Sequence, residues 1–425
     1  MNKINSILNQ ALEKIKFSKE EHKEIEKLIK DFLGRLNKRI KELNIDGEAF
    51  VGGSFAKDTA IKKNYYDIDV FVRFDKKYRS EEISGLLEKA VKIFKNSKSV
   101  HGSRDYFRIE VKPLVFLEVI PVIKIKNPRE AENITDLSYS HVNYVNKKIP
   151  QKVLDEIRLA KAFCHANNCY GAESYIHGFS GYSLELLVYH YKSFLKFITA
   201  MAKIKDDKLI IDLEKHFKNK NDVLRDLNSS KLQSPIILID PTYKQRNALS
   251  ALSQETFEKF KETCRKFLKN PSINAFESQK VDLNKIKNAA KKKNYEFVLL
   301  EIKTNKQEGD IAGSKLLKFY NHLGFEIEKL FVVKDKGFKY NEKKSARCFF
   351  VIKSKGEVLI QGPKIEDKKN VLKFKKRHKK IFYKKNRIYS KEKVKFRIKE
   401  FIKNWKEKNK IKIKEMDVED VWVIN

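Results

Sequence analysis

The feature that most constrains this chain is a pair of aspartates, Asp67 and Asp69, in the run Tyr-Asp-Ile-Asp-Val-Phe-Val. The alternation of acidic and apolar residues predicts a strand, Asp67–Phe74, that carries both carboxylates on one face. Two adjacent carboxylates repel each other. A divalent cation offsets this repulsion, because Mg²⁺ prefers carboxylate and phosphate oxygens as ligands. The pair therefore predicts a metal site at which phosphate groups are bound.

A glycine-rich segment, Gly52-Gly53-Ser54, precedes this strand, and Ser54 lies thirteen residues ahead of Asp67. It follows a short predicted strand at Ala49–Val51. Glycines let backbone amides approach phosphate oxygens, and a helix that begins there adds a favourable dipole. Gly-Ser and Asp-x-Asp are weak signals separately. Their combination, with apolar strands around both, resembles the signature of the DNA polymerase β nucleotidyltransferase superfamily.

Members of that superfamily carry a third carboxylate on a neighbouring strand. The candidate here is Glu118, an acid within the apolar run Leu114–Ile123, where an unpaired charge is costly. The family pattern has aspartate at this position, and glutamate is one methylene longer. Glu110 is the alternative for this role, and a salt bridge to a nearby lysine is the alternative interpretation of Glu118.

A second resemblance is more specific and involves the centre of the chain. The stretch from Ile157 to Leu187 resembles the central helical segment of archaeal (class I) CCA-adding enzymes, most clearly between Tyr170 and Tyr182, and the similarity returns at Ile239–Asn247. Weaker similarity extends over nearly the whole chain. The resemblance implies a template-independent enzyme that adds C, C and A to the tRNA 3′ end from CTP and ATP and releases pyrophosphate.

The same resemblance implies roles for individual residues. Asp67, Asp69 and Glu118 match the catalytic acids, which would hold two Mg²⁺ ions. Residues that match nucleotide contacts are Gly53, Ser54, Lys57, His141, Lys161, Tyr170 and Arg246. Within this set, the triphosphate is assigned to His141, Lys161 and Tyr170, and the incoming base to Arg246.

Four of these residues also have a purely structural interpretation. Lys161 lies on an amphipathic helical pattern and is alternatively a solvated lysine. Tyr170 alternatively packs at a helix end, and Arg246 alternatively holds a loop through Asp240. An isolated histidine such as His141 is more often structural than functional.

The order of apolar patterns predicts a multidomain α+β fold. A palm-like nucleotidyltransferase head is expected at 1–150, a helical neck with nucleotide recognition at 151–270, and a mixed α/β body with a basic, tRNA-binding tail at 271–425. The capping-box pattern Ser18–Glu21 predicts the start of a long helix in the head. Helical spacing also runs from about Lys152 to Phe197. Predicted strands of the body are Phe297–Ile302, Lys329–Val333 and Ala346–Ile352, with a helix at Lys315–Leu323.

Charge supports a nucleic-acid partner. Lysine and arginine total 92 against 56 acidic residues, a formal net charge of +36. Such an excess favours a polyanion such as the tRNA acceptor end, although general lysine enrichment also contributes. Aromatic residues are interleaved with this charge in Lys364–Lys408, which predicts a face that contacts RNA phosphates.

Composition also bounds the environment of the chain. The four cysteines do not make a disulfide framework in 425 residues and are expected to be reduced and buried. No apolar run is long enough to span a membrane, and the first residues lack a signal-peptide core, so a cytoplasmic location is expected. The sequence leaves the oligomeric state open.

Three alternative functions share these catalytic acids. They are a related poly(A) polymerase, an enzyme that adds only part of CCA, and a catalytically inactive RNA-binding relative. The central segment favours complete CCA addition. The glutamate at position 118 is the feature that keeps the inactive relative open.

Overall fold

The computed structural model describes residues 2–63, 65–102, 104–205, 208–278, 281–394 and 396–424. The chain divides into two compact units, Met1–Gln279 and Lys280–Asn425. The predicted boundary between head and neck lies inside the first unit. Among the described residues, no helix combines the length and the apolar composition that crossing a membrane requires.

The first unit combines helices with one large and one small sheet. Its helices and strands, in chain order, are α1 (Asn2–Ile15), α2 (Lys19–Glu42), β1 (Gly47–Val51), α3 (Gly53–Ala56), β2 (Tyr66–Phe74), α4 (Ile83–Val91), β3 (Ser97–Val100), β4 (Tyr106–Lys112), β5 (Val115–Ile123), α5 (Ser138–Lys148), α6 (Gln151–Ala166), α7 (Gly181–Tyr191), α8 (Phe194–Lys203), β6 (Leu209–Asp212), α9 (Lys220–Asp226), β7 (Ile236–Asp240), β8 (Tyr243–Asn247) and α10 (Gln254–Lys269).

The large sheet has the strand order β1-β2-β5-β4-β3. Strands β2 and β5 are parallel, and the other neighbouring strands are antiparallel. On β2, Ile68, Val70 and Val72 are fully buried, whereas Asp67 and Asp69 belong to the opposite face of the strand. The predicted strands at 49–51, 67–74 and 114–123 are therefore confirmed, with small differences at their ends. The sheet also contains β3 and β4, which the sequence analysis did not predict.

Helix α2 covers one face of this sheet. Ser18 accepts a hydrogen bond from the backbone N–H of Glu21, and the Glu21 carboxylate accepts one from the Ser18 backbone N–H, so the predicted capping box is confirmed. The apolar stripe of α2, including Phe32 and Leu36, packs in the same core as Ile68 of β2. This packing leaves the aspartate-bearing face of the sheet for the site.

The predicted helical region from 152 to 197 is interrupted. The chain leaves α6 at Ala166 and enters α7 at Gly181. Gly171 has φ +121°, a backbone conformation that favours glycine, and a Cβ on Gly178 would lie 2.2 Å from the Cys169 carbonyl oxygen. The close packing of the segment 167–180 between the two helices therefore depends on these glycines.

The helices after the sheet share one apolar core with an aromatic centre. The Phe163 ring lies 5.4 Å from the Phe194 ring and 6.1 Å from the Phe260 ring. All four cysteines of the chain are free and buried, as expected, and Cys164 and Cys264 belong to this core. A small sheet with the order β6-β7-β8 follows, in which every residue of β7 is buried.

The second unit has a four-stranded sheet with the order β10-β11-β9-β15 and a three-stranded sheet with the order β12-β14-β13. Its helices and strands are α11 (Leu283–Lys292), β9 (Glu296–Lys303), α12 (Asp310–Glu328), β10 (Phe331–Tyr340), β11 (Ser345–Ser354), β12 (Glu357–Lys364), α13 (Lys368–Arg377), β13 (Ile381–Lys384), β14 (Arg387–Lys393), α14 (Ile398–Lys408), α15 (Lys410–Glu415) and β15 (Asp420–Val423). The predicted strands 297–302 and 346–352 and the helix 315–323 are confirmed. The strand predicted from Lys329 begins instead at Phe331, because Lys329 caps α12.

The basic stretch 364–408 is a folded part of this unit. Ile388, Ile398 and Ile402 in it are buried. Of the seven aromatic residues in it, only Tyr383 is exposed, at 49%. The Phe382 and Tyr389 rings stack on each other at 5.8 Å. Any contact to RNA phosphates from this stretch must therefore come mainly from its lysines and arginines.

Candidate active site

Three carboxylates lie on two neighbouring strands of the large sheet. Asp67 and Asp69 are on β2, and Glu118 is on the adjacent parallel strand β5, directly opposite Asp69 in the strand register. Glu110 lies one strand further away, on β4, where it is exposed and opposite Phe116. The register therefore brings Glu118, and not Glu110, next to the aspartate pair.

The electrostatic environment of these carboxylates is unfavourable to their ionisation. Burial and the charges of Asp69 and Asp67 raise the pKa of Glu118 to about 7. Burial also raises the pKa of Asp69. Among the described residues, Glu118 forms no ion pair with a lysine, which disfavours the salt-bridge interpretation. A cation close to these oxygens would relieve the repulsion.

The three carboxylates do not have the arrangement of a complete set of metal ligands. Within the described residues, no cluster of three or more histidine, cysteine, aspartate or glutamate side chains has the spacing to hold a metal ion. Arg108 of β4 donates from Nη2 to Asp67 Oδ1 at 2.7 Å, and its guanidinium lies 4.1 Å from the centre of the Phe116 ring. The Arg108 guanidinium is thus a counter-ion for Asp67, one of the residues expected to bind a metal cation. The donor chemistry fits Mg²⁺, provided that Asp67 exchanges this arginine for the metal.

Gly53 begins the short helix α3 and lies against Asp69. Its φ is +57°, and a Cβ on this residue would lie 1.7 Å from Asp69 Oδ2. Gly52 is similarly confined, because its Cβ would lie 2.1 Å from the Phe71 ring. The Gly52 backbone N–H also donates to the Asp69 carbonyl oxygen at 2.8 Å. Both glycines of the loop are therefore required by the close approach to β2.

Lys57 and Lys161 are buried, with 7% and 2% exposure, and they share the fully buried Glu185 of α7. Lys57 Nζ donates to Glu185 Oε2 at 2.6 Å, and Lys161 Nζ donates to Glu185 Oε1 at 2.8 Å. The Thr59 hydroxyl donates to Glu185 Oε1 at 2.8 Å and accepts from Lys161 at 2.7 Å. The interpretation of Lys161 as a solvated lysine is therefore wrong.

The charges of this cluster depend on each other. Burial alone would raise the pKa of Glu185, but the charges of Lys161 and Lys57 and their hydrogen bonds lower it to about 2. Burial, together with the nearby charge of Lys57, lowers the pKa of Lys161 to about 8, although Glu185 opposes this shift. The Glu185 carboxylate is therefore ionised while it accepts hydrogen bonds from both lysines.

His141 and Arg246 meet at a second buried carboxylate, Asp240, at the end of β7. Arg246 Nη1 donates to Asp240 Oδ2 at 2.6 Å, and His141 Nε2 lies 3.0 Å from the same oxygen. The Tyr182 hydroxyl and the Thr242 backbone N–H donate to Oδ1 at 3.1 and 2.8 Å. The contact between Arg246 and Asp240 agrees with the structural interpretation of Arg246.

The pKa values in this second cluster follow from its burial and charges. Burial lowers the pKa of His141. Burial alone would raise the pKa of Asp240, but the hydrogen bond and charge of His141 and the charge of Arg246 lower it below its usual range. The His141 ring also stacks on Tyr182 at 4.0 Å, and Lys57 Nζ lies 5.7 Å from the centre of the Tyr182 ring. Tyr182 therefore links the Asp240 cluster to the lysines.

Tyr170 lies in the turn between α6 and α7. Its ring stacks on His165 at 3.7 Å, and a Cβ on Gly181 would lie 2.8 Å from its hydroxyl oxygen. Burial raises the pKa of this hydroxyl. A cavity of about 60 Å³ is lined by Tyr170 together with Ser54, Asp67 and Lys161. Four residues that the sequence analysis selected separately thus share one cavity.

The sequence analysis assigned no role to Arg108, Glu185 or Tyr182, and it named Asp240 only as an alternative partner of Arg246. Glu185 and Asp240 carried a usable signal, because each is an acid within or at the end of an apolar run, as Glu118 is. A carboxylate in such a run requires a partner. Arg108 lies in the run Tyr106–Lys112, whose alternation of apolar and polar residues indicates a strand but not the partner of the arginine.

Comparisons with known proteins show similarity to nucleotidyltransferases. Residues 155–277 match the family model described as tRNA nucleotidyltransferase, second domain, and residues 1–158 match the one described as second messenger oligonucleotide or dinucleotide synthetase domain. A CCA-adding enzyme of Nanoarchaeum equitans is 41% identical over 49% of this chain and 52% of its own length. A CCA-adding enzyme of Methanocaldococcus jannaschii is 28% identical over 91% of this chain and 87% of its own length.

A solved structure supports the fold. The Cid1 poly(U) polymerase has a TM-score of 0.51 and 14% identity, with 65% of this chain and 99% of that chain covered. This likeness concerns the fold alone. The alignments span about half the length of the first relative and most of the second. In the family model over residues 155–277 and in these relatives, the chain is similar to archaeal CCA-adding tRNA nucleotidyltransferases.

Proposed function

We propose that this chain is a template-independent tRNA nucleotidyltransferase that adds C, C and A to the tRNA 3′ end from CTP and ATP. The observation that carries the proposal is the register of Asp69 and Glu118 on parallel strands, with Gly53 packed against the Asp69 carboxylate. Similarity to the CCA-adding enzymes of Nanoarchaeum equitans and Methanocaldococcus jannaschii supports the choice of substrate. A tRNA substrate also favours the cytoplasmic location expected from the sequence.

In the proposed reaction, the tRNA 3′-hydroxyl oxygen attacks the α-phosphorus of CTP or ATP. The bond from that phosphorus to the bridging oxygen breaks, and pyrophosphate leaves. Two Mg²⁺ ions held by Asp67, Asp69 and Glu118 would stabilise the attacking and leaving oxygens when bound. Arg108 must release Asp67 for this, and its position beside β2 keeps positive charge near the site until then.

The remaining residues bind and orient the nucleotide in this proposal. Lys57, Lys161 and Tyr170 contact the triphosphate, because the two buried ammonium groups supply the charge that phosphates require. Ser54 and the backbone of Gly53 contact the phosphates from the loop. His141 lies near the triphosphate, and Arg246, held in one orientation by Asp240, recognises the incoming base.

The basic stretch 364–408 of the second unit is proposed to contact the tRNA. Its lysines and arginines suit phosphate contacts, which give affinity without sequence information. Shape recognition of an A-form acceptor stem needs no more than such contacts.

The experiment is incubation of the purified protein with Mg²⁺, labelled CTP or ATP, and tRNA transcripts that end before CCA, after C, or after CC. Ordered incorporation of C, C and then A supports the proposal. Incorporation of ATP alone would identify a partial enzyme or a poly(A) polymerase. Tight tRNA binding without incorporation would identify an inactive relative.

A further inference from the structure

Glu185 connects parts of the site that are distant in the chain. Its two carboxylate oxygens accept hydrogen bonds from Lys57, Thr59 and Lys161, and its side chain is 0% exposed. Lys57 and Thr59 follow the glycine loop, whereas Lys161 lies on α6. The sequence separation of Glu185 from Lys57 is 128 residues. A single buried carboxylate therefore holds cations from both sides of the candidate site.

The chemistry of this cluster requires an anion. Two buried ammonium groups that share one acceptor would repel each other without its charge, and an uncompensated buried charge is strongly destabilising. One carboxylate between two lysines leaves the cluster with one net positive charge. Such a cluster can hold its lysines in place and still attract a polyphosphate.

The contacts of Lys57 extend this arrangement to the second cluster. Its Nζ lies 5.7 Å from the centre of the Tyr182 ring, whose hydroxyl donates to Asp240. Asp240 in turn binds Arg246. A displacement of Lys57 would therefore disturb the packing beside the residues proposed to contact the triphosphate and the base.

We propose that Glu185 is a positioning residue for the nucleotide, which orients Lys57 and Lys161 toward the triphosphate without contacting it. The proposal rests on the proposed function. Replacement by glutamine keeps the size of the side chain but removes its charge, and it presents an amide donor to one of the two lysines. Because misplacement by about 1 Å costs on the order of 100-fold in rate, Glu185→Gln should lower kcat/KM for CTP and ATP by about that factor. Most of the effect should be in KM, since the triphosphate contacts are weakened.

The matched control is Asp136→Asn, which removes another fully buried carboxylate of the same unit. Asp136 pairs with Arg104 and accepts a hydrogen bond from the Ile123 backbone N–H at 2.8 Å. Both variants lose the charge of a buried ion pair, so both should lower Tm. Only Glu185→Gln should raise the KM for nucleotides, and neither should change the Kd for tRNA.

The experiment measures KM and kcat for CTP and ATP, the Kd for tRNA, and Tm for the full chain and both variants. An inactive wild-type protein would refute the proposed function, and the inference that rests on it would fail with it. An active wild type with a Glu185→Gln variant whose KM is within twofold would overturn the inference alone. Parallel KM changes in Asp136→Asn and Glu185→Gln would overturn it as well, because destabilisation would then explain both.

A second variant covers the case in which Glu185→Gln does not fold. Glu185→Asp retains the charge on a side chain one methylene shorter, so the lysines keep a counter-ion but move. We expect its KM for CTP to rise by about tenfold, less than the glutamine variant. An unchanged KM in this variant would contradict a positioning role.

Discussion

Replacement of Gly53 by alanine tests the contact between the glycine loop and the aspartate pair. A Cβ at this position would lie 1.7 Å from Asp69 Oδ2 and 2.7 Å from Asp69 Cγ, whereas real Cβ contacts are essentially never shorter than 3.0 Å. The Asp69 carboxylate or the loop must therefore move by more than 1 Å. The left-handed conformation of Gly53 adds a cost of about 1–2 kcal/mol for alanine.

These two effects have different consequences. A loss of about 1–2 kcal/mol in the free energy of unfolding leaves a domain of ordinary stability folded. A displacement of about 1 Å at the reacting centre is expected to lower the rate of nucleotide addition on the order of 100-fold. Gly53→Ala should thus be folded, able to bind tRNA and nearly inactive.

The assay is single-turnover incorporation of labelled CTP into a tRNA transcript that ends before CCA, with urea unfolding and tRNA binding measured in parallel. Gly85→Ala is the control, because Gly85 lies in α4 and a Cβ there meets no atom within 4 Å. It should keep full activity and gain up to about 1 kcal/mol in stability. If Gly53→Ala incorporated CTP within about threefold of the wild-type rate, the reasoning that links this loop to the reacting centre would be refuted.

Three further predictions concern other parts of the chain. Asp69→Ala should abolish nucleotide addition and leave the Kd for tRNA nearly unchanged, and normal turnover in this variant would remove Asp69 from the reaction. Because the pKa of Asp240 is lowered in the folded state, its stabilisation is present above pH 3.8 and is lost as the pH falls further. Asp240→Asn should therefore lower the free energy of unfolding by about 3 kcal/mol at pH 7 and by progressively less as the pH falls below 3.8, and a loss that did not shrink with falling pH would contradict this assignment. Affinity for tRNA should fall about tenfold or more between 50 and 200 mM salt, and a salt-independent Kd would count against phosphate contacts by the stretch 364–408.

The strands that carry the acids could be predicted because their signals are local. The period-two pattern around Asp67 and Asp69 and the apolar run around Glu118 both identify a half-buried strand without any knowledge of its neighbours. Strand β3 has the sequence Ser-Lys-Ser-Val and lacks such a pattern. Strand β4 does have one, because Phe107, Ile109 and Val111 alternate with polar residues, but it was not predicted. The pairing of Arg108 with Asp67 was missed because it depends on the order of the strands in the complete sheet.

The burial of Lys161 could not be predicted from the sequence for a related reason. A lysine on an amphipathic helix is ordinarily solvated, and its burial here depends on Glu185 and on Thr59, 102 residues away. Likewise, the basic stretch 364–408 contains enough lysine to suggest an open tail, but its Phe401 ring lies 5.7 Å from the Phe331 ring and its Trp405 ring 6.2 Å from the Phe319 ring. In both cases, the decisive contacts connect residues far apart in the chain.

The sharing of Glu185 also limits how this protein can be divided or recombined. A fragment that ended at residue 150 would retain Lys57 and Thr59. It would lose Lys161 and the Glu185 carboxylate that accepts hydrogen bonds from both lysines. The fragment would then carry the Lys57 ammonium group, next to α3, without the carboxylate with which it pairs. Transplantation of the catalytic sheet onto another helical partner would therefore require that partner to supply a carboxylate at the same point, so the two parts are expected to evolve as one module.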